Sequence, residues 1–124
     1  MEQKYYICEV CGNIIEKVKN SGVPVMCCGK PVKELVAGTT DAAVEKHVPV
    51  VQKDGNVVTV TVGSVIHPMT EEHYIEWIAL KTKTGTQRVH LSPNQEPKAV
   101  FALVEGDEVE ECLAYCNLHS LWKA

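Results

Sequence analysis

The sequence predicts an all-β chain: a small cysteine-rich module of short strands, followed by a β-sandwich or barrel. Two observations carry that expectation. Four of the six cysteines lie within the first 28 residues, whereas all five histidines lie beyond residue 46. From residue 48 onward the chain breaks into short apolar runs between Gly, Pro, Asn and Asp turn signals, at the spacing of sandwich strands. The boundary is placed in the short polar stretch Ala37-Gly38-Thr39-Thr40, giving a module over 1–36, a linker over 37–39 and a second domain over 40–124.

In the first module, Lys4–Ile7 and Ile14–Val18 read as strands, Asn20-Ser21-Gly22 as a turn, and Val23–Met26 as the lead into the second cysteine pair. So short a segment buries too little apolar surface to stand alone, so a metal or a partner chain is expected. In the second domain, Thr40–Lys46 reads as one capped helical turn. Val48–Lys53 and Val57–Val62 flank Asp54-Gly55-Asn56, a hairpin signal. His73–Thr82 is the longest expected strand, followed by a turn at Lys83-Thr84-Gly85 and a strand at Gln87–Leu91. A loop over Ser92–Pro97 precedes the last two expected strands, Lys98–Val104 and Glu108–Tyr115, which flank Glu105-Gly106-Asp107.

Composition excludes several function classes. The chain has 124 residues, 45% hydrophobic and 23% charged, which suits one compact domain or a small domain plus a tiny appendage. Acidic residues outnumber basic ones by 16 to 12, and no Lys/Arg-rich face appears, so no nucleic-acid partner is expected. No apolar run approaches the ~20 residues of a membrane span. Met1-Glu2-Gln3-Lys4 leads into no apolar segment with a cleavage site. A cytoplasmic location without a signal peptide is therefore expected, where six cysteines point to metal or redox chemistry rather than disulfides.

Cys8-Glu9-Val10-Cys11-Gly12 and Cys27-Cys28-Gly29 form two cysteine pairs, each followed by glycine. Two thiolates on one tight turn can reach the same metal, and the glycine permits positive φ. Two such pairs make a four-sulfur site, whose geometry does not choose between zinc and iron. Adjacent Cys27 and Cys28 predict distortion. The second domain carries Glu45-Lys46-His47-Val48-Pro49, His67-Pro68-Met69, His73, and Cys116-Asn117-Leu118-His119. Each piece alone is weak, since a lone histidine near a strand end is usually a surface or hydrogen-bonded residue. Loops at one end of a sandwich converge, however, so the pieces can meet. His90, expected mid-strand, and Cys112, expected to pack, are assigned no ligand role.

These four ordered segments, with the N-terminal cysteine pairs, resemble desulfoferrodoxin, the two-iron form of superoxide reductase, over essentially the whole chain. The first part is similar to a desulforedoxin module and the remainder to a neelaredoxin-type catalytic domain with an immunoglobulin-like β-sandwich. The resemblance implies two mononuclear non-haem irons per chain. Cys8, Cys11, Cys27 and Cys28 would hold the first. His47, His67, His73 and His119 would supply four equatorial nitrogens to the second, with Cys116 axial. Two departures stand out: Ser120, where the family commonly has glycine, and Cys112, which the pattern does not contain.

The implied activity is one-electron reduction of superoxide, O2•− + e− + 2H+ → H2O2, without release of oxygen. Ferrous iron with one thiolate and four neutral imidazoles carries about +1 by formal counting, which attracts a small anion. Five protein ligands leave the sixth position open. By resemblance, Lys46 is the cation beside that position and Glu45 the candidate sixth ligand of the oxidised centre, its carboxylate neutralising the charge that oxidation adds. A rubredoxin-type electron donor and a homodimer are implied as partners. From the residues alone, a rubredoxin-like electron carrier and a non-catalytic zinc-ribbon module stay open as alternatives.

Overall fold

The computed structural model describes residues 4–124. Residues 1–3, on which the signal-peptide expectation partly rests, lie outside the described residues. The chain divides into two compact units, one ending at Val36 and one spanning Ala37–Ala124.

The first unit holds β1 (Tyr5–Ile7), β2 (Ile14–Glu16), β3 (Met26–Cys27), β4 (Lys30–Pro31) and β5 (Lys33–Leu35). β1 is the centre of a three-stranded antiparallel sheet ordered β2-β1-β5, and β3 and β4 form a separate two-stranded pair. The strand expected over 14–18 thus ends at Glu16, and the three short strands after residue 25 were not expected. The β3–β4 hairpin has a two-residue loop, Cys28-Gly29, with φ of 52° and 74°. Positive φ at both central residues is the mirror-image turn that matches the strand twist of tight hairpins.

The second unit contains α1 (Val44–His47), β6 (Pro49–Asp54), β7 (Val57–Val62), β8 (Ile75–Thr82), β9 (Thr86–His90), β10 (Lys98–Ala102), β11 (Val109–Cys116) and β12 (Ser120–Lys123). Three antiparallel strands, ordered β10-β7-β6, pack on four, ordered β12-β11-β8-β9. All-β architecture is therefore established, with the three-on-four division of an immunoglobulin-like sandwich. Alternation puts Val58, Val60 and Val62 of β7 and Ala99 and Phe101 of β10 into the core. They meet Ile75, Ile78 and Leu80 of β8 and Cys112, Ala114 and Cys116 of β11. Burying each Val, Ile or Leu side chain contributes roughly 1.5–3 kcal/mol.

Several expected boundaries shift for identifiable reasons. The helical turn is not capped from Thr40. It begins at Val44 with Ala43 as N-cap and no side-chain capping bond, and Val48-Pro49 leads straight out of it into β6. β8 starts at Ile75 because the Tyr74 backbone N–H donates to Asn117 Oδ1 (3.0 Å) and its carbonyl accepts from Asn117 N–H (3.2 Å). β11 starts at Val109 because the Glu108 N–H donates to Asp107 Oδ1 (2.9 Å). β12, which pairs Ser120 with Cys116 and Lys123 with Leu113, was not expected.

Two features prepare the sheet for the site. The β8–β11 register runs Tyr115 to Trp77 and then Cys116 to Ile75, so Glu76 is skipped in a bulge. A bulge bends the strand and re-aims side chains, and this one lies where β11 delivers Cys116. At the opposite end, buried Asp107 accepts hydrogen bonds from the hydroxyls of Thr82 and Thr84 (both 2.7 Å) and closes the β8–β9 turn onto the start of β11. Those bonds, led by Thr82, hold the Asp107 carboxyl below its ordinary value.

Asp107→Asn is expected to lower the melting temperature by several degrees. The ionised carboxylate stabilises the fold above the pKa it has in the unfolded chain, about 3.9. The gap between parent and variant should be full above about pH 4 and close as acid protonates the folded carboxyl; thermal melts across pH 2–7 check this.

Candidate metal centres

In the first unit, the sulfurs of Cys8, Cys11, Cys27 and Cys28 all lie within 4.8 Å of one another. The Cys8–Cys11 turn closes through Gly12 N–H to the Cys8 carbonyl (2.9 Å), with Gly12 at φ 83°. Cys11 N–H approaches Cys8 Sγ at 3.5 Å, and Asn13 Nδ2 approaches Cys27 Sγ at 3.8 Å. The backbone N–H groups of Cys11 and Val10 draw the Cys8 thiol down to about 6. The hydrogen bond with Cys11, then that with Cys8, pushes Cys28 up to about 12. One thiolate forms readily and the last is costly, so a cation is what makes four thiolates compatible at 3.6 Å, the Cys11–Cys27 sulfur separation. The adjacency of Cys27 and Cys28 is accommodated by the left-handed backbone at Cys28.

The second cluster is assembled by four separate segments. His47 ends α1, His67 lies in the loop after β7, His73 precedes β8, and Cys116 and His119 flank the β11–β12 turn. The four imidazoles form a closed ring. Neighbouring centroids lie 4.7 Å (His47–His67), 4.6 Å (His67–His73), 5.1 Å (His73–His119) and 4.9 Å (His119–His47) apart. Each neighbouring pair is steeply inclined, at 75–88°. The diagonal His47–His73 is 6.5 Å, longer than every side, as in a square. Donor atoms of His47, His67, His73 and Cys116 all lie within 4.8 Å of one another. His119 joins them through Nδ1, 3.2 Å from His47 Nε2 and 3.9 Å from Cys116 Sγ.

Hydrogen bonding fixes which nitrogens face inward. His47 Nδ1 meets the Ala43 carbonyl at 2.7 Å, and His67 Nδ1 meets the Pro68 carbonyl at 2.7 Å. A carbonyl accepts only, so both Nδ1 atoms carry the proton and both Nε2 atoms present bare lone pairs. Those two lone pairs face each other at 3.2 Å. His73 Nε2 is buried with no hydrogen-bond partner. Ring nitrogens crowded together, one of them buried with no partner at all, are what a cation site requires. Burial keeps three of the rings neutral: it lowers the pKa of His47 and His73, and that of His67 to about 4. Burial also raises the Cys116 thiol, opposed by the backbone N–H groups of Leu118 and His119.

Trp122 and Gly63, to which the residues alone assign no role, and Ser120, already marked as a departure from the family pattern, hold this arrangement. Trp122 stacks on His47 (4.9 Å, 27°) and its indole N–H donates to the His119 carbonyl (2.9 Å). Its only sequence signal is an aromatic three residues beyond a candidate ligand. Gly63 seats α1, because a Cβ there would stand 2.6 Å from the Glu45 carbonyl oxygen. Ser120 adopts φ 66°, a left-handed conformation where the turn rejoins β12. The remaining expected residues divide. Glu45 and Lys46 are exposed on α1, and the Glu45 carboxylate is not among the donor atoms gathered within 4.8 Å. The Lys46 charge is nonetheless felt at His47 and His73, whose protonation it opposes. His90 is exposed at the end of β9, and Cys112 is fully buried in the core, its thiol pushed up to about 12 by burial.

Ser120→Gly is expected to stabilise the protein by about 1 kcal/mol by relieving the left-handed cost of a residue with a Cβ, read as a higher denaturation midpoint. In metal-free protein the His67 ring should titrate near pH 4 by NMR. Because its folded pKa is depressed, the unfolded chain takes the proton first. Apoprotein stability attributable to His67 is full above about pH 6.5 and is lost as pH falls toward 4.

Comparison with known proteins places these two clusters in one family. The desulfoferrodoxin family model matches residues 39–124. A desulfoferrodoxin of Syntrophotalea carbinolica is 48% identical over 120 residues, covering 96% of this chain and 93% of that protein. The crystal structure of a superoxide reductase from Treponema pallidum matches with TM-score 0.85 and 40% identity, over 100% of this chain and 99% of that one. A superoxide reductase of Giardia intestinalis described as 1Fe-SOR matches 64% of this chain and 95% of its own, with TM-score 0.55 and 36% identity. The chain belongs to the desulfoferrodoxin family.

Proposed function

We propose that this protein is a superoxide reductase that converts superoxide to hydrogen peroxide by O2•− + e− + 2H+ → H2O2, releasing no oxygen. The observation that carries this reading is the square of four imidazoles, two of them fully buried, whose inward nitrogens crowd together and leave His73 Nε2 without a partner, with the Cys116 thiol beside them. The donor set fits a mononuclear non-haem iron at His47, His67, His73, His119 and Cys116, and the four-cysteine set fits a second iron. Iron held by those five protein donors would supply one-electron chemistry.

The chain's own groups do the rest. The neutral rings add no charge, and the single Cys116 thiolate leaves the ferrous site with about +1 by formal counting, enough to favour a small anion. The Leu118 and His119 N–H groups temper the thiolate's negative charge. Lys46, exposed one residue before His47, attracts superoxide and orders a proton-donating water. Glu45 supplies a compensating carboxylate when oxidation adds a positive charge. The division of labour follows the expected boundaries: a four-cysteine iron module over 1–36, a linker over 37–39 and a catalytic domain over 40–124. The two compact units, Met1–Val36 and Ala37–Ala124, and the span of the family match over residues 39–124 support it.

Electrons would come from a small rubredoxin-type donor. A homodimer accords with the meagre core of the first module, which gains from assembly by mass action. A reducing, cytoplasmic setting accords with six free cysteines, four of them gathered in one cluster.

The decisive experiment follows superoxide decay by stopped flow in pre-reduced protein. The parent should yield one peroxide per superoxide and no oxygen. His119→Ala should slow decay by at least ~100-fold, the scale of losing metal-centred catalysis. Lys46→Met should lower the second-order rate roughly tenfold and weaken its ionic-strength dependence, with iron content unchanged. Unaltered decay in His119→Ala would leave only an electron carrier.

A further inference from the structure

The ring-bearing segments around the centre are braced differently. His47 and His67 each anchor the outer ring nitrogen on a backbone carbonyl at 2.7 Å. His119 has its carbonyl pinned by the Trp122 indole at 2.9 Å. Among the described residues, none hydrogen-bonds either ring nitrogen of His73, and its Nε2 is buried. Metal-binding imidazoles ordinarily rely on such an outer bond for their aim. His73 must take its aim from its backbone.

That backbone is a small closed turn. Thr70 N–H donates to the His73 carbonyl (2.9 Å), and His73 N–H donates to Thr70, to the carbonyl at 3.2 Å and to Oγ1 at 3.1 Å. These bonds shape the turn but do not orient it toward the other donors. Orientation comes from Asn117. Its Nδ2 donates to the Glu72 carbonyl (2.9 Å), and its Oδ1 accepts from Tyr74 N–H (3.0 Å). Its own N–H donates to the Tyr74 carbonyl (3.2 Å). Three bonds thus grip the residues on both sides of His73 and tie them to the residue following Cys116.

We propose that Asn117 is the positioning residue of His73, supplying through the backbone the support that the ring lacks. It locks the His73 turn and the Cys116–His119 turn into one rigid frame. This role rests on reading the His/Cys cluster as a metal site.

The test is Co2+ titration of the metal-free full chain, followed by visible absorption, which separates a four-sulfur site from a nitrogen-rich one. Asn117→Ala should weaken Co2+ binding at the His/Cys cluster by roughly 10–100-fold, the scale of losing an outer-shell partner, and leave the four-cysteine site unchanged. Asn117→Asp keeps the acceptor for Tyr74 but loses the donor to Glu72, and should fall between. In a His73→Ala background, Asn117→Ala should cost little further, because the two act through one donor. Equal fold-losses in both backgrounds would reduce Asn117 to general structure and overturn the role. So would unchanged affinity in Asn117→Ala or, should that variant not fold, in Asn117→Asp. No Co2+ at the His/Cys cluster of the parent would overturn both this role and the functional reading.

Discussion

The second unit is organised around one unfavourable contact: the bare Nε2 lone pairs of His47 and His67, 3.2 Å apart in a buried pocket. Left to themselves, two buried acceptors repel, and the neighbour within hydrogen-bond reach of His47 Nε2 is another ring of the cluster, His119, at 3.2 Å. They stay there because each ring is pinned from behind. Pro49, which starts β6, limits α1 to a single turn, so His47 is its last residue and the Ala43 carbonyl lies within reach of His47 Nδ1. His67 is held by its own N–H to the Val62 carbonyl (3.0 Å) and by its Nδ1 to Pro68. The core residues Val58, Val60 and Val62 fix β7 and hence where that loop begins.

Local strain gathers at the same places. Cys28 and Ser120 both adopt positive φ, the first within the four-sulfur cluster and the second beside His119. Gly63 lets two backbone segments approach more closely than any side chain would permit. The β8–β11 bulge gives up regular pairing where Cys116 must enter the pocket. Each device destabilises its neighbourhood by an amount of order 1 kcal/mol and is held in place by the packed sheets behind it. At the far end the β8–β11 ladder is also interrupted, between Val109 and Glu111, but there Asp107 is fully satisfied by Thr82, Thr84 and Glu108.

Much of this was legible in the residues, and the reasons for the gaps are physical. The Asp54-Gly55-Asn56 signal became a hairpin joining β6 to β7, with Gly55 at φ 60°. Strict alternation in Val57–Val62 gave β7 its observed limits. The candidate donors were readable because the chemistry dictates their type: thiols and imidazoles in grouped segments have few other reasons to recur. The supports were harder to read because their function lies in a single geometric relation. Nothing in the letters distinguishes Asn117, which bridges to a segment more than 40 residues away, from a turn-forming asparagine. Trp122 looks like a core aromatic. β12 is four residues long and follows a turn made by Ser120 in a conformation that sequence rules assign to glycine.

The two clusters also differ in what surrounds their charge, and the difference matches the work each suits. In the four-cysteine cluster Cys11 and Cys28 are exposed, and full occupation gathers four thiolates around one ion. A ferrous ion there leaves about −2 by formal counting, which repels an anionic substrate and suits electron storage or structure. The His/Cys cluster surrounds its ion with neutral rings and one thiolate in a buried setting, where low dielectric magnifies the residual positive charge. Lys46 adds a second positive charge near the rim, while a chain with formal net charge −4 offers little attraction elsewhere. A small anion would therefore be drawn to the His/Cys cluster, where a bound iron would carry a net positive charge. The selectivity follows from surrounding the ion with four imidazoles and a single thiolate, and burial keeps His47, His67 and His73 unprotonated.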